Sequence, residues 1–466
     1  MEVDKLLLEL DRNLDNAKLS LKQVESLLSK VKVLGRSAET AGPIFTNRGI
    51  TVLSKYGLEP KDSKSLPASR EALRCLANAF LLNEPCRQAF VDSGYAPKAA
   101  DRLKTDDRDD EFLISRILFL LTYNTKIDFE QLVKQNQLVE SINQQITRHA
   151  KVFSSKSGRR KSEAAPMEDM SLVETLKLLF NITYYYPDMI PKFTPSVEPL
   201  VRLIINHPLP APPLQSPVTY LLNALLNLDL ASAEKKTPVG PEARSSPLFP
   251  YSSPEEVVDR LTSIFNKAIV TMPEKDLDQA AAPLCTLIRR FYELAQPQMK
   301  EWMRWIMLPR EKDRDKPLGV GDTMAARLLR LSCSPGVPTL RENVSSLLFE
   351  LSDKDANKFV QNIGYGFAAG FLMNHNIAIP QNAAEASCTP SGGDAKGGAA
   401  YNPVTGQRLG AENEPEPEEK EMSEEEKERE AERLFVLFER LKMTGVVDVK
   451  NPVQQAVDEG RFEEIE

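Results

Sequence analysis

Apolar residues recur along this chain with the spacing of buried helices. In residues 172–186, LVETLKLLFNITYYY, the residues Leu172, Leu176, Leu179 and Thr183 share one helical face. Neighbouring apolar residues widen that face, and a face this broad predicts a helix that is buried on most sides. Further strings of the same kind lie at residues 72–80, 114–124, 218–230, 283–295 and 344–352.

Each apolar string is followed by a short polar break and a second amphipathic segment, so the repeating unit is a pair of helices. Equivalent positions in the strings are Asn78, Thr122, Asn181, Asn227, Glu293 and Glu350, which are separated by 44, 59, 46, 66 and 57 residues. Armadillo and HEAT units run about 40–47 residues, so the shorter steps match them and the longer steps contain insertions. A single pair cannot bury its apolar face, and such pairs therefore stack. The pattern predicts an all-α, armadillo/HEAT-like α-solenoid superhelix with a concave side.

Changes in composition set the limits of the repeat array. The predicted repeat body spans residues 1–379, with insertions at 154–166, 208–217, 233–254 and 311–321 that are rich in Pro, Gly, Ser or charge. The insertion at 208–217 contains five prolines and cannot be helical. Residues 380–421 contain Ala, Gly, Ser and Glu with few large apolar residues, which predicts a disordered acidic linker.

A last amphipathic helix is predicted at residues 422–445, followed by a flexible tail at 446–466. Ser423 and Glu426 have the spacing of a capping box, and Gly445 stops the helix. An amphipathic helix on a flexible linker must bury its apolar stripe. Docking on its own solenoid and docking on a partner both remain open, and the linker favours the partner.

Residues 1–34 are also helical by pattern. Leu7, Leu14, Leu21 and Leu28 repeat every seventh residue, which is the heptad spacing of a coiled coil. The other interpretation, which we favour, is a helix or helix pair that packs on the first repeat. We accordingly expect a monomer.

Composition narrows the function classes. The formal net charge is −8, but residues 411–432 hold twelve Glu against three cations, which leaves about +1 for the rest of the chain. The body is therefore not a general nucleic-acid binder by charge. The cysteines are odd in number and form no CxxC pair, so buried reduced thiols at Cys75 and Cys285 and a cytoplasmic location are expected. The start of the chain lacks the pattern of a signal peptide, and no apolar run approaches the roughly 20 residues of a membrane span.

Candidate chemistry is sparse. His149, His207 and His375 are far apart and lie in no HExxH or Cys/His motif, so metal catalysis has little support. The glycines of GYGFAAG, residues 364–370, follow a helix rather than a strand, which favours a tight turn and close helix packing over a dinucleotide loop. The chain has no GxxxxGK[ST] motif. Trp302 and Trp305 lie on one predicted helix and do not recur by repeat, which favours core or local surface over a peptide-binding ladder. We expect no enzyme activity and no cofactor.

The polar residue Asn181 interrupts the apolar string at 172–186. An Asn in such a position can face a groove and bond a partner's backbone, because its amide both donates and accepts hydrogen bonds. It can equally bond a neighbouring loop of its own chain.

The C-terminal region resembles that of the synembryns, the resistance-to-inhibitors-of-cholinesterase-8 proteins. The resemblance rests on YNPVTG at 401–406, an acidic spacer, MSEEEKE at 422–428 and the Leu/Phe-rich helix that follows. The strings ALRCLANAF, LFLLTYNT, LKLLFNIT and KFVQNIGYGFAAGFL are similar to strings of that family in the same order. The resemblance extends from about residue 70 to residue 443.

The resemblance implies an armadillo-like protein that binds the α subunit of heterotrimeric G proteins (Gα). It implies a chaperone for newly made Gα and a receptor-independent guanine nucleotide exchange factor, recruited to the cell cortex through Gα. The family grips the C-terminal helix of Gα in the concave groove, and its own tail helix reaches the nucleotide-handling region. Groove candidates by analogy and register are Arg74, Asn78, Asn124, Asn181 and Asn227; tail candidates are Leu434, Phe435 and Phe438. The alternative is a generic armadillo-type scaffold that binds an extended peptide.

One departure from the family concerns regulation. Animal members have an acidic Ser/Thr segment before NPVTG that is phosphorylated by an acid-directed kinase, whereas residues 385–393 here, EASCTPSGG, are hardly acidic. Ser423, which is followed by Glu424, Glu425 and Glu426, is the better candidate phosphosite in this chain.

Overall fold

The structure is a computed structural model that describes residues 2–60, 62–154, 165–235, 246–249, 254–378, 401–402 and 405–408. These residues form helices and connections and contain no β-strand, which confirms the all-α class. Short 3₁₀ segments lie at Gly42–Phe45, Ser63–Ser65, Pro187–Ser196 and Glu311–Asp315. The α-helices are α1 (Glu2–Asn16), α2 (Leu21–Leu34), α3 (Asn47–Leu58), α4 (Leu66–Leu82), α5 (Pro85–Asp92), α6 (Ala96–Arg102), α7 (Arg108–Leu121), α8 (Phe129–Asn136), α9 (Leu138–Ser154), α10 (Ala165–Tyr185), α11 (Val197–Asn206), α12 (Val218–Leu226), α13 (Leu230–Lys235), α14 (Glu255–Thr271), α15 (Glu274–Leu294), α16 (Pro297–Met307), α17 (Met324–Cys333), α18 (Pro338–Leu351), α19 (Ala356–Ile363) and α20 (Tyr365–Asn374).

The apolar strings form one layer of parallel helices, α4, α7, α10, α12, α15 and α18, which we call the parallel layer. Each member packs on the next along the chain. Their shared direction follows from successive contacts of α7 with α10, because Arg108 pairs with Glu168, Ser115 bonds Thr175 and, at the far end, Thr122 bonds Asn181. The buried faces are mostly apolar; Leu172, Leu176 and Leu179 have no exposed surface.

A second layer covers the parallel layer on one side. It consists of α3, α6, α9, α11, α14 and α17, and each of these packs on the parallel-layer helix that follows it in sequence. The apolar core lies between the layers, as expected when stacked helix pairs bury faces that neither helix can bury alone. The solenoid-like stack that the repeats predict is therefore confirmed. Its concave side stays a prediction.

Short polar side chains start several helices. Asp107 accepts hydrogen bonds from the backbone N–H groups of Asp109 and Asp110 at the start of α7, and Thr323 accepts one from Ala326 at the start of α17. These side chains satisfy donors that the first turn of a helix leaves without partners. Gly364 adopts φ +81° between α19 and α20, which confirms that this glycine allows a tight turn.

Residues 1–34 form two helices rather than one. Ala17 adopts φ +49° and ends α1, and the capping box of Ser20 with Gln23 starts α2. Helix α2 packs on α4 within the same chain, and Leu28 is fully buried, whereas Leu21 is 44% exposed. The heptad is thus interrupted, and the helix pair packed on the first repeat is the interpretation that the structure supports.

The predicted insertions differ in what the structure describes. Residues 208–217 are non-helical, as their prolines predicted. The insertion at 311–321 is described in full and begins with the 3₁₀ segment Glu311–Asp315. The insertions at 154–166 and 233–254 lie partly outside the described residues, which omit 155–164, 236–245 and 250–253. The tail from residue 409 onward also lies outside them, including Leu434, Phe435, Phe438 and the candidate phosphosite Ser423. In the part of the chain that is described, no helix is both long and apolar enough to cross a membrane.

The repeat body forms a compact unit that extends beyond α20, over Met1–Gln407, and a second unit spans Arg408–Glu466. Within the first unit, Tyr401, Asn402 and Thr405–Gln407 bind the body near the 3₁₀ segment Glu311–Asp315. We call these residues the strap. Residues 380–421 are predicted to be a disordered linker, and the strap differs from that prediction because it is bonded to the body. Its contacts use backbone and polar groups, which composition does not reveal. The linker prediction for 380–400 and 409–421 concerns residues that the structure does not describe.

Candidate functional site

The C-terminal ends of α7, α10 and α12 lie beside one another. We call the surface that they form the helix-end surface. Two amides connect it. Asn181 of α10 donates from Nδ2 to Oγ1 of Thr122, which follows α7, at 2.7 Å. Asn227, which follows α12, donates to the carbonyl oxygen of Phe180 in α10 at 3.3 Å.

These amides serve the joints between repeats. Asn181 is 5% exposed, so its bond to Thr122 is made in the interior of the joint. Asn227 also lies 3.3 Å from Oγ1 of Thr183, the residue that shares the buried face of α10. Of the two interpretations of Asn181, the structure shows the bond within its own chain, made to a neighbouring helix end. A role of either amide in partner binding remains a prediction.

The other groove candidates are more accessible. Arg74 is half-buried on α4, and its guanidinium bonds Glu71 at 2.8 Å and Asp109 at 3.2 Å. Asn78 lies one turn further along α4 and is half-buried. Asn124 is exposed after α7 and has φ +54°, a conformation that Asn tolerates better than most residues. The structure thus brings Asn181 and Asn227 together at the helix-end surface, with Asn124 just past the end of α7, while Arg74 lies on the side of α4 that faces the start of α7.

Sequence reasoning missed the most exposed feature of the helix-end surface, which we call the aromatic row. Its ring pairs are Phe119–Tyr123, Tyr123–Tyr185, Tyr185–Tyr184 and Tyr184–Phe180, with centroids 5.3, 6.2, 5.1 and 6.1 Å apart. Tyr184 is 63% exposed and Tyr185 is 47% exposed. Clustered exposed aromatic rings are typical of surfaces that bind another protein. The run of three tyrosines at 184–186 was the signal in the sequence.

Polar groups border the aromatic row. The ammonium of Lys177 lies 5.8 Å from the ring centre of Phe119 and 5.1 Å from that of Tyr220. On the other side, Tyr185 lines a cleft of about 280 Å³ together with Glu130, Lys134 and Lys192. The surface therefore offers apolar rings for contact, with hydrogen-bonding and charged groups at the rim.

A buried charged group, which we call the His149 cluster, joins α7, α9 and α10. His149 and Glu111 have no exposed surface, and Nε2 of His149 lies 2.8 Å from Oε1 of Glu111. Nδ1 lies 2.6 Å from Oε1 of Glu168 in ion-pair contact. Arg148 pairs with Glu111, and Arg108 pairs with Glu168. Thr175 donates a further hydrogen bond to Glu111 at 2.8 Å.

Contacts within the His149 cluster shift the pKa values of its members. Burial alone would lower the pKa of His149, but the hydrogen bond to Glu111 and the charges of both carboxylates outweigh burial and raise the pKa. Burial would raise the pKa of Glu111 and of Glu168, but the contacts with His149 and the arginines outweigh it and lower both pKa values. The two carboxylates therefore favour the protonated imidazole between them.

The remaining candidates have ordinary surroundings. His207 lies 3.0 Å from Asp169, and His375 lies 2.7 Å from Glu342. Cys75 and Cys285 are buried thiols, as predicted, and burial raises the pKa of Cys285 to about 12. The described residues hold no group of three or more His, Cys, Asp or Glu side chains that could bind a metal ion.

The tryptophan pair forms a local surface. Trp302 and Trp305 stack on α16 with ring centroids 4.9 Å apart, and Trp305 is 52% exposed. This agrees with the local interpretation of the pair.

Comparison with known proteins identifies the family. Residues 27–461 match the family model described as guanine nucleotide exchange factor synembryn, Ric8. A synembryn-like chaperone of Schizosaccharomyces pombe is 29% identical, with 96% of this chain and 85% of that protein aligned. The chaperone Ric-8A of Bos taurus is 24% identical over 90% of this chain and 81% of its own length. The chaperone Ric-8A of Mus musculus is 22% identical over 92% and 83%. The family match covers most of the chain and confirms the resemblance seen in its motifs: the chain belongs to the synembryn family of guanine nucleotide exchange factors.

Proposed function

We propose that this protein binds heterotrimeric G-protein α subunits, acting as a folding chaperone and as a receptor-independent exchange factor that stabilises nucleotide-free Gα and promotes GDP release. Family membership supports the exchange activity, and the names of the relatives support the chaperone role. The protein acts in the cytoplasm as a monomer and reaches the cell cortex through Gα.

The aromatic row is the observation that carries the proposed site. Tyr184 and Tyr185 are exposed in the free protein, although transfer of an aromatic ring from water into an interface is favourable. The C-terminal helix of Gα lies on these rings, and the amides of Asn124, Asn181 and Asn227 at the same helix ends bind its polar groups. Arg74 and Asn78 extend the site along α4. The tail helix, with Leu434, Phe435 and Phe438, contacts the nucleotide-handling region.

The mechanism needs no covalent step. A protein that binds nucleotide-free Gα more tightly than GDP-bound Gα weakens GDP binding by the same factor, because linkage is reciprocal. A preference of about 1.4 kcal/mol corresponds to tenfold in affinity. Withdrawal of the Gα C-terminal helix onto the solenoid supplies this preference. Chaperone action follows from the same preference, since a ligand that binds an incompletely closed Gα shifts the population away from aggregation-prone states.

The test is GDP release from purified Gα with the wild-type chain and a Tyr184→Ala/Tyr185→Ala variant. Truncation of two exposed aromatic contacts at the centre of an interface weakens binding of Gα by about tenfold or more. The matched control is Trp305→Ala, which removes an exposed aromatic ring on α16, away from the aromatic row.

Loss of GDP release and of Gα binding in the double variant, with both retained in the control, supports the site. Equal activity of all three proteins would place the site elsewhere on the chain. Absence of binding by the wild type to every Gα class would leave the generic peptide-binding scaffold as the function.

A further inference from the structure

The strap is held by a buried arginine. Arg314 is 7% exposed, and its guanidinium donates from Nη1 to the carbonyl oxygen of Gly406 at 3.1 Å. Its Nη2 donates to the carbonyl oxygens of Gln361 and Asn362, each at 2.9 Å, at the end of α19. Charge-assisted hydrogen bonds of this kind are stronger than neutral ones. Removal of the strap would leave Nη1 of a buried cation without this acceptor, which is costly.

Further contacts fix the strap along the segment from Glu311 to Leu318. The backbone N–H of Leu318 donates to the carbonyl oxygen of Thr405 at 2.9 Å. The amide of Gln407 donates to the carbonyl oxygen of Asp315 at 3.1 Å. The hydroxyl of Tyr401 donates to the carboxylate of Glu311, and the guanidinium of Arg314 lies 4.7 Å from the centre of the Tyr401 ring. The strap is thus held by a buried cation and by contacts along most of its length.

The strap also forms its own turn. The N–H of Asn402 donates to the carbonyl oxygen of Gln407 at 2.7 Å, and the N–H of Gly406 donates to the carbonyl oxygen of Asn402 at 2.8 Å. Gly406 adopts φ +68°, and a Cβ atom at this position would overlap the side chain of Leu318. A glycine is therefore required for both the backbone conformation and the close approach. A turn that is closed by its own hydrogen bonds loses less entropy when it binds.

We propose that the surface formed by Glu311, Arg314, Asp315 and Leu318 is a peptide-binding site that holds the strap on the last repeats, with the Arg314 guanidinium fixed from behind by the carbonyl groups of Gln361 and Asn362. The bonds join the strap directly to residues of the segment 311–318, and Arg314 of that segment is bonded in turn to the carbonyl oxygens of Gln361 and Asn362. The site therefore retains the strap even when the covalent connection through residues 379–400 is cut.

The strap sets the point from which the tail starts. Without it, the tether to the tail would begin at the end of α20, and with it the tether begins at residue 407. A shorter tether raises the effective concentration of the tail at the repeat body. The effect of the tether on Gα binding rests on the proposed function. Retention of the strap on the repeat body does not rest on it.

The experiment uses the full chain with a protease recognition sequence inserted between Gly393 and Asp394. After complete cleavage, the fragments are passed over a size-exclusion column at micromolar concentration without Gα. We expect the C-terminal fragment to elute with the repeat body. The synthetic peptide of residues 399–408, added in excess, should release the fragment, and the same peptide carrying Gly406→Ala should not.

Three variants locate the contact. Gly406→Ala and Tyr401→Ala change the strap and leave the repeat body intact; Gly406→Ala should weaken retention of the fragment by about tenfold or more, because a side chain in the left-handed region is strained. Arg314→Lys, checked for an unchanged unfolding transition, should also release the fragment, because an ammonium lacks the planar fork that reaches all three carbonyl groups. The control is Gly370→Ala, where a Cβ atom would meet nothing within 4 Å beyond its chain neighbours and the backbone of its own helix.

Separation of the wild-type fragments after cleavage would overturn the proposal. Equal retention by wild type, Gly406→Ala and Tyr401→Ala would also overturn it, because another part of the tail would then be the anchor. Neither result bears on Gα binding, which is measured separately with the uncleaved chain.

Discussion

Two joints between consecutive helices of the parallel layer differ in their chemistry. Between α7 and α10, the His149 cluster has His149 and Glu111 fully buried. Between α15 and α18, Arg289 binds Glu350 through Nε at 3.0 Å and Nη2 at 2.7 Å, with side chains that are 28% and 18% exposed. Both joints pair opposite charges across neighbouring helices. From this difference we predict that solvent access, rather than the number of charged contacts, decides how strongly a joint depends on one side chain.

The largest effect is expected at the buried joint. His149→Ala leaves Glu111 and Glu168 facing each other without the cation between them, and loss of one partner from a buried ion pair costs about 3–5 kcal/mol. Urea unfolding at pH 7 measures the change in the free energy of unfolding. The control His375→Ala removes a histidine that is 41% exposed beside Glu342, and it should change stability little. Equal losses in both variants would contradict the dependence of the loss on burial.

An intermediate effect is expected from pH. The pKa of His149 is raised above its ordinary value of 6.5, so the folded chain keeps a proton that the unfolded chain releases. The resulting stabilisation is complete below about pH 6.5 and is lost as pH rises through the raised pKa of the folded state. Wild-type stability, measured by urea unfolding between pH 6 and pH 9, should fall through this contribution as pH increases. His149→Gln lacks the titrating group, and an unchanged pH slope in this variant would refute the assignment.

The smallest effect is expected at the partly exposed joint between α15 and α18. Arg289→Ala removes the bonds to Glu350 and a further bond to Asn343 at 3.2 Å, but water can reach the carboxylate that remains. The loss should be roughly 1 kcal/mol. The change in the free energy of unfolding is measured with urea at pH 7, and Arg289→Lys, which keeps the positive charge, is the control. A loss as large as that of His149→Ala would mean that burial does not separate the two joints.

The solenoid class could be predicted from sequence because it depends on periodicity. The apolar strings at 72–80, 172–186 and 283–295 lie in α4, α10 and α15, and each is long enough to show the helical period. The strap could not be predicted in this way. It is bound by one buried guanidinium, which the carbonyl groups of residues 361 and 362 hold in place, and none of these groups has a signal in composition or period.

The site was only partly predictable. Register selected Asn181 and Asn227, and both lie at helix ends, but the pattern did not show that their amides bond neighbouring helices. His149 appeared isolated in sequence, because its partners Glu111 and Glu168 come from two other helices that only the stacking brings together. The aromatic row was missed because Tyr123 and Tyr185 meet across a joint between repeats.

The common direction of the parallel layer also has an electrostatic consequence. Peptide dipoles add along a helix and leave a partial charge of about −0.5 at its C-terminus. At the helix-end surface several such ends lie side by side, and Arg290 already donates to the carbonyl oxygens of Leu226 and Leu228 there. This edge of the protein is therefore rich in acceptors. A helix bound across the layer is favoured, by about 0.3–1 kcal/mol, when its own N-terminus points towards this edge.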